Sequence, residues 1–406
     1  MAVAAYRRRL AARALALKRC VTVAATGMRI LFMADVAPNP YSGAAGTEFQ
    51  TIAALRALGH DVDEVWSDTL GRRIGHGNLH YALELPRAYR RAMLRAVKER
   101  DYDAIHVNQP HGWLAAKTFR RMGRSGVFIH RSHGLEPHVA EVAAHWRDRF
   151  APPSRRSWRA VAAAPLHRAL ASHAPRIARW ADGHIVSSTA DGRYLSERLG
   201  VDPGRIAVIA QAAPDSFLAR PVLPLDEDRL RRVLYVGQFT FVKAPMIVAE
   251  AMSSLASDPG LQFTWVCDRR HHAAVRELLR TDRVELLDWT TSDRLMDIYD
   301  QHGIFLFPSF FEGFGKAFLE AMSRGLCVVA SDAGGMHDVI DHGRSGLLVP
   351  PGDAAGVAAA VRSLQSDPAR AKQMSAAAAT AARGYTWERV ARETAAFYQR
   401  LREAKR

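Results

Sequence analysis

Two glutamates, Glu312 and Glu320, stand with seven residues between them in the stretch 305–322, FLFPSFFEGFGKAFLEAM. Glu312 follows a Pro-Ser turn and heads a Gly-bracketed loop, Gly313-Phe314-Gly315. Glu320 falls on a helix expected from about 316 to 324, with Gly325 as its stop. Its neighbours there are Ala317, Phe318, Leu319, Ala321 and Met322. A carboxylate on an apolar surface needs hydrogen-bond donors or a charge partner, and two adjacent sugar hydroxyls would supply donors. Gly313 and Gly315 permit close backbone approach, and a helix start at Lys316 presents unpaired N–H groups to an anion. A carboxylate, an anion site and a second carboxylate on one element suit a sugar joined to a nucleoside diphosphate. The competing reading is a surface helix whose Glu320 is solvated and paired to Lys316 one turn earlier.

The block P-S-x-x-E-G-F-G…L-E-A-M over residues 308–322 resembles the E-x7-E element of retaining glycosyltransferases of family 4, which have the GT-B fold. The resemblance implies that Glu320 holds ribose hydroxyls and Glu312 contacts sugar hydroxyls, with Gly313, Phe314, Gly315 and Lys316 lining the donor. It also gives meaning to Gly237-Gln238-Phe239-Thr240-Phe241-Val242-Lys243. In the family an Arg and a Lys of this segment neutralise the diphosphate. Lys243 matches, but Gln238 stands where Arg is usual, and glutamine offers neither charge nor a cationic fork. His133, just past an expected strand end, matches the family histidine that contacts the transferred sugar. Gly43 and Gly46 lie in a loop similar to the family's first Gly-rich loop, which lacks the G-x-G-x-x-G spacing of dinucleotide sites. Gly334 and Gly335 match the family's Gly-Gly turn, although His337 and Asp338 replace its Pro and Glu. Catalytic roles fall to Glu312, His133 and Lys243.

A chain of 406 residues is too long for one ordinary core. The near-continuous apolar run at 28–36 reads as a strand buried on both faces of a parallel sheet, 304–307 and 326–330 read as further buried strands, and 104–107, 232–236 and 261–267 as strands. Further strands are expected at 61–66, 126–130, 184–187, 205–210 and 284–287, and one within 343–353. The fold class is α/β: two Rossmann-like domains of the GT-B type facing across a cleft, with the C-terminal helix crossing back. The expected divisions are a basic extension at 1–27, an acceptor domain at 28–213, a connection at 214–231, a nucleotide-sugar domain at 232–385 and a returning helix at 386–406.

The net charge of +15 favours anionic partners. These are the nucleotide-sugar donor and a peripheral contact with an anionic membrane, since no nucleic-acid motif is visible. The extension 1–27 reads as a disordered tail, with a membrane-surface helix and a targeting segment as alternatives. No run is apolar enough to span a membrane. Three scattered cysteines, Cys20, Cys267 and Cys327, suggest a reducing compartment and no zinc site. The protein is therefore expected in the cytoplasm, at most peripheral to the inner membrane face. No cofactor is expected. In the absence of a convincing D-x-D loop, cationic side chains and the helix dipole would replace a metal. The expected activity is retaining transfer of a sugar to a hydroxyl acceptor. The alternative, motivated by Gln238 and Asp338, is a degenerate GT-B protein that binds nucleotide or acidic polymer without catalysis.

Overall fold

The structure, a computed structural model, describes residues 27–39, 44–150 and 158–406. The basic extension up to residue 26 and Gly43 lie outside the described residues. The described residues form two compact units, one of residues 27–138, 158–210 and 387–406, the other of residues 139–150 and 211–386.

The first unit is built on a parallel sheet of β1 (Arg29–Met33), β2 (Asp61–Val65), β3 (Ala104–Val107), β4 (Val127–Arg131), β5 (Gly183–Val186) and β6 (Ile206–Val208), in the order β2-β1-β3-β4-β5-β6. The second has β7 (Arg232–Val236), β8 (Gln262–Val266), β9 (Val284–Leu287), β10 (Ile304–Phe307), β11 (Cys327–Ser331) and β12 (Leu347–Val349), in the order β12-β11-β10-β7-β8-β9. β3, β4, β5, β10 and β11 are buried at every position; β10 is wholly apolar and β11 nearly so, whereas β3, β4 and β5 also bury His106, His130, Arg131 and His184. Strand order reverses between β1 and β3 in the first sheet and between β7 and β10 in the second. At such a reversal two loops leave the carboxyl ends of adjacent strands and diverge, opening a crevice for ligands.

The final helix, Trp387–Lys405, belongs to the first unit. Gly183 leaves room for Leu401 and Phe397, and Tyr398 hydrogen-bonds the buried His106 of β3. Arg402 pairs with Asp103 at 2.5 Å, and Lys405 donates to the Gly126 carbonyl at 2.7 Å.

Residues 214–231, the expected connection, are built into the second unit. They contain the short helices Asp215–Ala219 and Glu227–Leu230 and are pinned to the second unit by two arginines. Arg324 is fully buried; its Nε donates to Asp300 at 2.7 Å, and its other nitrogens donate to the carbonyls of Phe217, Arg220 and Pro221 at 3.0, 2.7 and 2.6 Å. Arg229 likewise donates to the carbonyls of Leu223, Pro224 and His302.

Two departures from expectation concern helices. The helix after β1 runs Ala44–Ala57, so Gly46 sits in its first turn and not in the preceding loop; the alanines at 44 and 45 extend it backwards. A long helix with no expected counterpart runs through Gly77–Leu79, a π-helical turn at His80–Glu84, and Leu85–Glu99. It buries Leu85, Tyr89, Met93 and Val97, which recur at four-residue spacing.

Candidate active site

In the second unit the loops after β7 and β10 meet at the strand-order reversal. The backbone N–H of Phe310 donates to the Val242 carbonyl at 2.8 Å. One residue beyond Val242, the Lys243 ammonium pairs with the Glu312 carboxylate. The ammonium also lies 5.4 Å from the centroid of the Phe307 ring, a cation–π contact. So the two charged residues read as catalytic from sequence touch each other, although 69 positions separate them. Ala244 follows at φ 51°, the one non-glycine residue at positive φ among the described residues. It turns the chain into the helix Pro245–Leu255, and left-handed backbone at a non-glycine residue carries strain of order 1 kcal/mol. Gln238 is exposed, and its carbonyl accepts from Thr240 N–H at 2.9 Å.

The Gly-bracketed loop is a tight construction. Gly315 has φ +87°, and a Cβ there would strike the Phe307 ring. It caps the helix Lys316–Ser323, whose first turn has no side-chain cap and no acid, and a helix start of that kind favours an anion. Gly334 and Gly335 pack directly on this loop: Gly335 N–H donates to the Glu312 carbonyl at 3.0 Å, and a Cβ on Gly334 would overlap that same oxygen. Phe314 is buried beside Phe318 and Tyr385, so any contact it made with a ligand would be through its backbone. From the other side, Trp146 stacks on Phe310 at 4.7 Å with an 8° tilt.

Glu320 is partly buried and accepts from the Tyr299 hydroxyl at 3.3 Å. Burial raises its pKa, against the pull of Lys316 and the Tyr299 hydrogen bond. Burial in turn lowers that of Lys316, against the pull of Glu320. Both readings of this residue thus have a counterpart: the Lys316 interaction exists, but Glu320 is not a solvated surface acid.

In the first unit His133, just beyond β4, donates to Glu48 Oε1 at 2.6 Å. Glu48 is fully buried on the helix Ala44–Ala57, with Arg131 and His106 nearby. Burial alone would raise its pKa; the charge and hydrogen bond of His133, aided by Arg131 and His106, outweigh that and bring it down to about 2. At the β1/β3 reversal Asp35 N–H donates to Asn108 Oδ1 at 3.3 Å. Burial pushes the Asp35 carboxyl up to about 6, against the pull of His80 and Arg72. Neither Glu48 nor Asp35 is among the residues singled out from sequence. Glu48 carried a readable signal, because it is the lone acid in its helix, as Glu320 is in its own.

These buried groups make the first unit acid-sensitive. Burial brings His106 and His184 each down to about 3. The unfolded chain protonates both near pH 6.5, whereas the folded protein resists, so stability is lost as pH falls through 6.5. Each should remove about 1.4 kcal/mol between roughly pH 7.5 and 5.5. Glu48 adds a loss below its unfolded value of 4.5 as pH approaches 2. Urea denaturation at the two higher pH values should show the histidine term; equal midpoints and slopes would mean these rings charge in the folded protein.

Among the described residues no three His, Cys, Asp or Glu side chains converge as a metal site, and no helix is long and apolar enough to cross a membrane.

Comparison with known proteins agrees with both units. A profile for Glycosyltransferase Family 4 matches residues 41–213, and one for Glycosyl transferases group 1 matches residues 231–367. A D-inositol 3-phosphate glycosyltransferase of Rhodococcus opacus is 31% identical over 229 residues, 52% of this chain and 51% of the relative, so the chain spans about half the length of that relative. One from Mycolicibacterium vanbaalenii is 30% identical over 68% of this chain and 67% of its own. Among solved structures, sucrose-phosphate synthase from Thermosynechococcus elongatus aligns at TM-score 0.73 and 23% identity, covering 93% of this chain and all of that one (100%). Anabaena HepE, solved in complex with UDP-glucose, aligns at TM-score 0.64 and 18% identity, covering 91% and 98%. Two parallel sheets with flanking helices and profile matches in each of them identify the fold as GT-B, and the chain belongs to glycosyltransferase family 4.

Proposed function

We propose that this protein is a retaining glycosyltransferase that moves a sugar from a nucleoside diphosphate to a hydroxyl acceptor. The observation that carries the reading is the Lys243–Glu312 pair at the β7/β10 reversal, beside an uncapped helix start and a loop sealed by Gly334 and Gly335. The diphosphate lies against Lys243 and the amides of residues 313–316, where charge grows as the anomeric C–O bond breaks. The acceptor oxygen bonds to the anomeric carbon on the face the diphosphate leaves, and its proton passes to the departing phosphate oxygen. Glu312 contacts sugar hydroxyls and Glu320 holds the ribose. UDP is the first nucleotide to test, because HepE was solved with UDP-glucose. Inositol 3-phosphate is the first acceptor to test, from the name of the relatives. No metal is assigned a role in the transfer.

Gln238 favours one second reading, a protein that binds nucleotide without turnover, because the loop 237–243 has a single cation. Donor hydrolysis and transfer assays separate the two. UDP should raise the thermal midpoint of the protein, by mass action on the folded state. Glu320→Ala should weaken nucleotide affinity about 10- to 100-fold, the loss of hydrogen bonds to a charged group. Unchanged affinity and turnover in that variant would remove Glu320 from the ribose site.

A further inference from the structure

We propose that an exposed face of the first unit, centred on the helix through residues 77–99, docks on an anionic lipid surface. This goes beyond the transferase reading and does not depend on it. Eight large apolar side chains are exposed among the described residues, and three of them, Leu79, Tyr81 and Leu83 at 38%, 37% and 46%, fall within five consecutive positions. Such a concentration is what separates an interaction patch from scattered surface apolars.

Arginine surrounds the patch. Arg72 and Arg73 precede it, and Arg87, Arg90, Arg91 and Arg95 follow it, all exposed. Leu79, Leu83, Arg87, Arg91 and Arg95 succeed one another at four-residue intervals and so run along one side of the helix. Between residues 69 and 98 the sequence has one acid, Glu84. Its carboxylate is occupied: it accepts from the backbone N–H groups of Arg73 and Ile74 at 2.8 and 2.9 Å and pairs with His80 Nδ1 at 2.8 Å. No carboxylate among the described residues pairs with Arg87, Arg90, Arg91 or Arg95. Arg91 and Arg95 share a groove with Asp63, Glu64 and Glu99 without pairing to them, so the excess positive charge of this face rests chiefly on Arg87 and Arg90.

Leucines on a helix face continued by arginines match the two layers of a membrane interface. The apolar side chains enter the acyl boundary, and guanidinium groups pair with lipid phosphates. A soluble acidic partner would engage the arginines but would give Leu79 and Leu83 no reason to be exposed together. The π-helical turn at His80–Glu84 presents these leucines, and π turns are frequent at functional positions.

The test is flotation of the full-length chain with vesicles of phosphatidylcholine alone and of phosphatidylcholine mixed with phosphatidylglycerol. Binding is expected only to the mixed vesicles. Combining Arg87→Glu, Arg90→Glu and Arg91→Glu should weaken it by at least about fivefold per arginine. Combining Leu79→Ser and Leu83→Ser should weaken it in a way that added salt does not mimic. Both variants alter exposed side chains only, and an unchanged thermal midpoint confirms that each is folded. Flotation of both variants as efficient as that of the parent would overturn the proposal. So would absence of parent binding to the mixed vesicles. Polyphosphate binding that matches vesicle binding and ignores the leucine changes would reassign the face to a soluble polyanion.

Discussion

Lys243→Met is expected to slow sugar transfer about 10²- to 10³-fold, the usual cost of removing one preorganised group that stabilises developing negative charge. Methionine keeps the unbranched stem that reaches over the Phe307 ring and deletes only the ammonium. The effect should be large because the loop 237–243 has no second cation: Gln238 occupies the place where an arginine would share the load. The loss should appear in kcat, with the KM for the donor changing less, because charge on the diphosphate increases as its bond to the sugar breaks. Lys243→Arg should recover part of the rate. Steady-state kinetics with the donor varied make the comparison. A raised KM with kcat intact would show instead that Lys243 binds donor and leaving state equally.

Arg324→Ala is expected to destabilise the protein by about 3–5 kcal/mol, the typical result of removing one member of a buried ion pair. Asp300 is 6% exposed and would lose its closest cation, keeping only the Nε of Arg220 at 3.3 Å. Three carbonyls of residues 217–221 would lose their donor at the same time. Because Arg324 directly follows the helix Lys316–Ser323, nucleotide affinity should fall with stability. Urea titration followed by tryptophan fluorescence gives the difference. A change below about 1 kcal/mol would mean that water replaces the guanidinium without penalty.

What could be read from the chain follows the range over which each interaction acts. β7 and β10 begin and end close to where apolar runs meet turn residues, because strand burial is written in consecutive side chains. β12 is only Leu347–Val349, shorter than the stretch 343–353 suggests, since Gly343 and Gly346 close a turn before it and Pro350 stops it. The helix over Leu85–Glu99 was equally legible in principle, with Leu85, Tyr89, Met93 and Val97 in register. Family resemblance pointed to Glu312, Glu320, Lys243 and His133, but not to the distant residues that hold Glu320 and His133. Tyr299 lies 21 positions before Glu320, and Glu48 lies 85 before His133. Arg324 reaches carbonyls more than 100 positions away. Tyr299 and the carbonyls that Arg324 holds leave no local pattern, so only the geometry finds them. Gly334 is an intermediate case: its type suggested a turn, and packing shows that the Glu312 carbonyl excludes any side chain there.

The helix Trp387–Lys405 completes the first unit although residues 211–386 of the second unit come between. On the ribosome, domains ordinarily fold in the order they emerge. Here β3 must wait until residues 387–405 are translated before His106 gains Tyr398 and Asp103 gains Arg402. The nascent first unit therefore stays incomplete while residues 211–386 are made. A message stalled before residue 387 would release a chain whose first unit lacks the helix that completes its core.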